Sequence, residues 1–254
     1  MVKLLEGKAA VVTGAARGIG FAIMREYALH GCDVVGCDIN GPGIRNAAAK
    51  VSGDCDRKII GMEADVSARK DVEETVTRAI AEFGRIDILV NNAGILIHSP
   101  ILDMAEEDWN RIFDVNLKGY FFFAQAVGRQ MVIRKSGKII NISSCSAKKA
   151  SLDEGAYCAT KAAILGLNRT LAWELGAYGI NVNAILPGAT DTEMVRSTFL
   201  TSPRIEEEWI DKTALKRLGQ PEDQARVALF LASFLADHIT GEAIVVSAGE
   251  MMTQ

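Results

Sequence analysis

Seven short runs rich in valine, isoleucine and alanine recur along this 254-residue chain, nearly all followed by a longer stretch of helical periodicity. The runs are KAAVVT (8–13), DVVGCD (33–38), RKIIGMEA (57–64), IDILVN (86–91), GKIINIS (137–143), INVNAIL (180–186) and EAIVVS (242–247). Helical patterns lie at 18–30, 43–52, 67–83, 107–134, 155–177 and 221–236. Parallel strands cannot be joined by tight hairpins, so the alternation predicts right-handed crossovers. Several runs are apolar almost throughout, as expected where helices cover both faces of the sheet. The reading is an α/β chain forming one doubly wound domain over 1–254, with a parallel sheet of about seven strands. Ligands in such sheets sit beyond the carboxyl ends of the strands. The residues just after each run are therefore the candidates for function.

Charge and cysteine usage narrow the partners. With 28 basic against 32 acidic residues the net charge is −4, and no basic block occurs, which argues against nucleic acid or an anionic membrane surface. No apolar run approaches the roughly 20 residues a spanning helix needs, and MVKLLEGKAA turns polar almost at once. A cytoplasmic location is the expectation. Five cysteines without a C-x-x-C pair, and only His30, His98 and His238, offer no disulfide framework and no metal site.

After the first run comes TGAARGIG, with Gly14, Gly18 and Gly20 allowing a sharp turn into a helix. Free N–H groups at that helix start would hold a pyrophosphate, with Arg17 and Ile19 in the same turn. Asp38 ends the second run, about twenty residues further on, where a carboxylate can accept from ribose hydroxyls. It would also repel a 2′-phosphate, and Ile39 supplies no cation to neutralise one, so NAD(H) is expected rather than NADP(H). Arg17 is the one nearby guanidinium that would favour phosphate. Asp65 and Val66 follow the third run; Asp65 either faces an adenine edge or caps the helix opening near Ser67. Asn92, Ala93 and Gly94, in NNAG, end the fourth run and suit an irregular backbone packed on a cofactor.

Tyr157 and Lys161, in AYCATKAA, stand four residues apart, one turn on a common helix face. A phenol of pKa ~10 is a poor base near neutrality. A cation at ~4 Å in an effective dielectric of ~20 is worth roughly 4 kcal/mol, on the order of three pKa units. Such a couple could bring a tyrosine close to working pH, where proton transfer is most efficient.

TGAARGIG, NNAG, Asn116 in DVNLKG, Ser144 in NISS, YCATK and the PG at 187–188 occur in the order and positions of one family. Over essentially its whole length the chain resembles the classical short-chain dehydrogenase/reductases, whose domain is Rossmann-type. The resemblance implies a tetrad. Tyr157 would be the general acid/base. Lys161 would bind the nicotinamide ribose and depress the tyrosine pKa. Ser144 would polarise the substrate oxygen. Asn116 would kink its helix and hold a water linking Lys161 to solvent. Ser143 is the competing serine; Ser144, thirteen residues before Tyr157, matches the family spacing. Pro187, Gly188, Thr190 and Thr192 resemble the segment contacting the nicotinamide carboxamide. The family also implies a homotetramer, with helices 107–134 and 155–177 at the interface.

Several stretches depart from the family pattern. CSAKKASLDEG (145–155) carries Lys148, Lys149, Asp153 and Glu154 where small and apolar residues are usual. One lysine would meet an anionic substrate, or the loop is simply solvated. Cys145 and Cys158 read as packing residues rather than redox switches. A substrate lid is expected over about 190–213, where Met194, Phe199 and Trp209 point to partly apolar substrates or anchor the lid, and His98 falls near the pocket mouth. The ending VSAGEMM lacks a second glycine. The segment KRLGQPEDQARVALFLAS resembles the 3-oxoacyl-carrier-protein reductase branch. The expected activity is NAD(H)-dependent interconversion of a secondary alcohol and a ketone, with polyol, hydroxysteroid and 3-hydroxyacyl substrates all left open. A 3-oxoacyl-thioester reductase and a catalytically silent dinucleotide sensor are the alternatives.

Overall fold

The computed structural model describes residues 2–200 and 202–252; Thr201 of the expected lid, and residues 1, 253 and 254 of the expected domain, lie outside the described residues. Seven strands form one parallel sheet: β1 (Ala9–Thr13), β2 (Asp33–Asp38), β3 (Ile59–Glu63), β4 (Ile88–Asn91), β5 (Gly137–Ile142), β6 (Ile180–Pro187) and β7 (Ala243–Val246). All neighbours pair in parallel, as the alternation of runs and helical stretches predicts, and the structure sets their order as β3-β2-β1-β4-β5-β6-β7. The order reverses between β1 and β4, which opens a crevice at their carboxyl ends.

Two apolar layers enclose the sheet because successive side chains on each strand point to opposite faces. Ala10, Val12, Val34, Ile88, Val90 and Ile140 pack with α1 (Gly18–Leu29), α2 (Gly41–Asp54) and α9 (Pro221–Ala232). Val11, Val35, Leu89, Ile139 and Val182 pack on the other face with α3 (Arg69–Phe83), α5 (Gly119–Arg134) and α6 (Gly155–Gly176). Runs apolar throughout are thus apolar because both faces are covered.

Three helical expectations change in detail. The stretch 43–52 is longer, since Asn40 caps α2 by accepting from Gly43 N at 3.0 Å and Pro42 suits its first turn. The stretch 221–236 ends at Ala232 and continues as a 3₁₀ turn, Phe234–Ala236. The single helix expected at 107–134 divides into α4 (Glu106–Phe113), a wide π turn (Asp114–Lys118) and α5. The lid region holds two short helices, α7 (Glu193–Thr198) and α8 (Pro203–Asp211).

Candidate functional site

The strand-end turns converge on one cleft of about 630 Å³. Gly14, Arg17, Gly18, Ile19, Asp38, Ile39, Asp65, Val66 and Asn92 to Gly94 line one half. Ser144, Tyr157, Lys161, Pro187, Gly188, Thr190 and Thr192 line the other. Gly20 and Asn116 belong to neither wall. Gly20 sits behind the turn, where a Cβ would collide with the Gly14 carbonyl oxygen; Gly14 itself has φ +64° with its backbone against Ala93. Its part is to let the turn close, not to meet a ligand.

A hydroxyl and an amide hold this turn to β4. Thr13 Oγ1 accepts from Asn92 N at 2.9 Å and Ala93 N at 3.0 Å. Asn92 Nδ2 donates to the carbonyls of Thr13 (2.9 Å) and Gly14 (3.0 Å). Thr13 was not a sequence candidate, and nothing local distinguishes it from any threonine ending a strand. Asp38 accepts from Ala16 N at 3.2 Å and Asn40 N at 2.9 Å, so it braces the turn while facing the cleft. Asp65 likewise lines the cleft and also takes the Ser67 amide and hydroxyl; the residue flanking α3 is Ala68, without a side-chain cap. Arg17 pairs with Glu193 of α7 across the mouth.

Lys161 is buried on α6 and donates from Nζ to Ile142 O at 2.9 Å. Its Nζ lies 5.5 Å from the centre of the Tyr157 ring. Asn116 is buried in the π turn, an interruption often found at functional sites. Its Oδ1 accepts from Ile95 N at 2.8 Å, and its Nδ2 donates to Ile95 O at 2.9 Å. That reciprocal pair replaces a β-ladder for the segment after β4 and brings Gly94 against both Asn116 and Lys161. The two adjacent serines separate cleanly. Ser143 is buried and its hydroxyl donates to Lys161 O at 2.8 Å, whereas Ser144 opens on the cleft and accepts from Ser146 N at 3.1 Å.

Burial shapes the titration of the couple. It pushes the Tyr157 phenol up to about 12, although a contact with Ser144 pulls the other way. It holds Lys161 down at about 7. The expected lowering of Tyr157 by Lys161 is therefore not the dominant effect, because removing both groups from water outweighs their mutual influence. Tyr157 keeps its proton and is set to donate it.

The departures noted in the sequence meet here. Lys149 and Glu250, 101 residues apart, form an ion pair on the cleft wall, and Glu250 is almost fully buried. Lys149 also lies 5.9 Å from the Trp209 ring centre. It is exposed, as a solvated loop would have it, but its ammonium is already engaged by Glu250, while Lys148 does not line the cleft. Glu250 Oε2 accepts from Ala189 N at 3.0 Å, which ties the last turn to the segment after β6. Thr190 is buried, bonding Gly188 O at 3.0 Å and Gln224 Nε2 at 3.2 Å, and Thr192 caps α7. Met194, Phe199 and Trp209 line the cleft, with Phe199 meeting His98 edge-on (5.0 Å) and Trp209 at a tilt (5.6 Å). Cys145 is buried with its thiol pushed up to about 11, and burial also raises Cys158, as befits packing residues. Among the described residues there is no metal-binding cluster, and no helix is long and apolar enough to cross a membrane.

Comparison with known proteins agrees with this geometry. The family model described as enoyl-(acyl carrier protein) reductase matches residues 14–250. The chain is 40% identical over 249 residues to the 3-oxoacyl-[acyl-carrier-protein] reductase of Chlamydia muridarum, covering 98% of this chain and 99% of that protein. It is 36% identical over 246 residues to the 2-dehydro-3-deoxy-D-gluconate 5-dehydrogenase of Dickeya dadantii, covering 96% of each. Among solved structures, a 7α-hydroxysteroid dehydrogenase complexed with NADH and 7-oxo glycochenodeoxycholic acid superposes with a TM-score of 0.92. It shares 34% identity, with 96% of this chain and 94% of that one covered.

Proposed function

The chain belongs to the classical short-chain dehydrogenase/reductase family, and on that premise we propose an NAD(H)-dependent oxidoreductase that interconverts a secondary alcohol and a ketone. The observation that carries the reading is the meeting of Tyr157, Lys161 and Ser144 in the same cleft as the glycine turn. A bound nicotinamide supplies the hydride acceptor or donor; the protein contributes position and electrostatics.

The residues fit such a group. The glycine turn leaves the α1 amides free for a pyrophosphate, and Asp38 and Asp65 flank the cleft where a nucleoside would lie. The Asp38 carboxylate, braced by two amides, disfavours a 2′-phosphate. Ile39 is exposed and uncharged, and Arg17 is drawn toward Glu193 at the exposed mouth rather than toward Asp38. This supports NAD(H) over NADP(H).

Tyr157 donates its proton to the substrate oxygen in reduction and recovers one in oxidation. Ser144 holds that oxygen by a hydrogen bond. Lys161, anchored at Ile142 O, lies one helical turn from Tyr157 and carries the proton onward. Asn116 is a positioning residue that fixes the segment beneath Lys161. α7 and α8 act as the lid. An assay of matched alcohols and ketones with each cofactor, with Tyr157→Phe as control, tests the reading. Turnover with NAD(H) is expected; none in any pairing, despite dinucleotide binding, would leave the sensor.

The relative from Chlamydia favours a second reading, a 3-oxoacyl-thioester reductase, which NADPH-dependent reduction of an acetoacetyl thioester would establish. The functional unit is a homotetramer joined through α4, α5 and α6, where Phe121 is exposed and Trp173 is 90% exposed. A monomer in sedimentation equilibrium would refute that assembly.

A further inference from the structure

Almost every carboxylate on the cleft wall already has a strong partner. Asp38 takes two backbone amides and Asp65 an amide and a hydroxyl. Asp114 pairs with Lys118, Glu193 with Arg17, and Glu250 with Lys149 and the Ala189 amide. Glu107 stands in water.

Glu154 is the exception. It lines the cleft but is only 6% exposed. Among the described residues no lysine or arginine pairs with it, and Ser146 Oγ donates to Oε2 at a long 3.4 Å. Ser151 is its other hydroxyl neighbour. Burial raises its pKa, with exposed His98 and, more weakly, Lys149 opposing from outside, the latter already paired to Glu250. A carboxyl withdrawn from water with such weak partners carries a desolvation cost that a strong donor would remove.

Its place defines what that donor would be. Glu154 is the cap residue of α6, and its carbonyl accepts from Cys158 N at 2.8 Å, which fixes it in the turn before Tyr157. Both residues line the same cleft, three positions apart at the start of α6. The lid residues Met194 and Phe199 contribute only hydrocarbon and thioether surface. A small polar substrate would find its acceptor at Glu154.

We propose that Glu154 is a specificity-determining residue that accepts a hydrogen bond from a second hydroxyl close to the reacting carbon, so that the preferred substrates are vicinal diols and the matching hydroxyketones. This rests on the oxidoreductase reading above. It deepens that reading by naming the substrate class. It also weighs against the acyl-thioester alternative, whose chain offers no hydroxyl at that point.

The test compares 2-butanol with 2,3-butanediol (mixed stereoisomers), and butanone with acetoin, each pair differing by one oxygen. The readout is the ratio of kcat/KM within each pair for the wild type, Glu154→Gln and Glu154→Leu. We expect the wild type to favour the hydroxylated member at least tenfold, since a site built for a hydroxyl rejects an analogue lacking it. Glu154→Leu should bring the ratio close to one, and the isosteric Glu154→Gln, which loses the charge assistance, should lower it at least threefold. A purely structural role would depress both members together and leave the ratio unmoved. An unmoved ratio in Glu154→Gln, or a wild type that does not discriminate, overturns the inference alone. Failure to turn over any alcohol or ketone overturns the oxidoreductase reading and this inference with it.

Discussion

On the β1–β4 side of the cleft the walls are largely backbone, held by short hydrogen bonds among amides, carbonyls, a hydroxyl and the Asp38 carboxylate. Thr13, Asn92 and the glycine turn exchange amide, hydroxyl and carbonyl contacts at 2.9–3.0 Å. On the β5–β7 side the walls are side chains contributed by segments far apart in sequence. The Lys149–Glu250 pair, the tilted Phe199 and Trp209 rings and the buried Glu154 carboxyl define that surface. A backbone cradle depends on turn chemistry and tolerates few changes. A side-chain wall can be rebuilt residue by residue, which is how one fold serves many substrates.

Perturbing each side in turn should separate them. The largest effect is expected for Tyr157→Phe, which removes the proton donor: kcat should fall about 10²–10⁴-fold, with dinucleotide affinity by fluorescence titration nearly unchanged. Comparable losses in both would break the division of labour.

Lys161 gives a pH signature on the same side. The unfolded chain keeps this proton up to about 10.5, whereas the folded, unliganded protein surrenders it near about 7. Between those values the unfolded state binds more protons, so stability should rise with pH across this window. Lys161→Met should therefore raise Tm at pH 7 by several degrees or more, since a shift of about three pKa units corresponds to roughly 4 kcal/mol. That gain should vanish by pH 10. A gap independent of pH would show that the ammonium is well solvated.

Gly20→Ala attacks the backbone side. Its Cβ would press on the Gly14 carbonyl oxygen, and overpacking of this kind costs about 1–3 kcal/mol. Dinucleotide affinity should weaken at least tenfold, whereas KM for the alcohol at saturating cofactor should move little. Glu250→Gln is the mirror experiment, leaving Lys149 without its partner. Stability should fall by roughly 1–2 kcal/mol, discounted because Lys149 is partly exposed, and KM should rise more than the dinucleotide Kd. The smallest effect is expected for Asp38→Ala, which should narrow the NAD-over-NADP preference about tenfold, near 1.4 kcal/mol. An unchanged ratio would mean that Asp38 serves only to brace the turn.

Legibility in the sequence follows the same division. The number of strands, the parallel doubly wound architecture and the glycine turn could be read from the chain because they depend on local rules, whereas the strand order came from the fold. Apolar runs must pair, helices must cover them, and a sharp turn between strand and helix needs glycine. The i, i+4 spacing of Tyr157 and Lys161 is likewise a local fact. Other features depended on which residues meet in space. Two departures from the family pattern, Lys149 and the Glu250 ending, prove to be partners across 101 residues. Ser143 and Ser144 are alike in sequence, yet only the fold turns one hydroxyl inward to Lys161 O. A kink at Asn116 is expected from the family resemblance, but its partner Ile95, which exchanges two hydrogen bonds with the Asn116 amide within the π turn, has no sequence period. The titration of Tyr157 and Lys161 depends on how much water the folded cleft excludes. Periodicity and turn chemistry are written along the chain, so they determine the scaffold. Burial and long-range pairing exist only once it has closed, so they decide how the site is tuned and what it accepts.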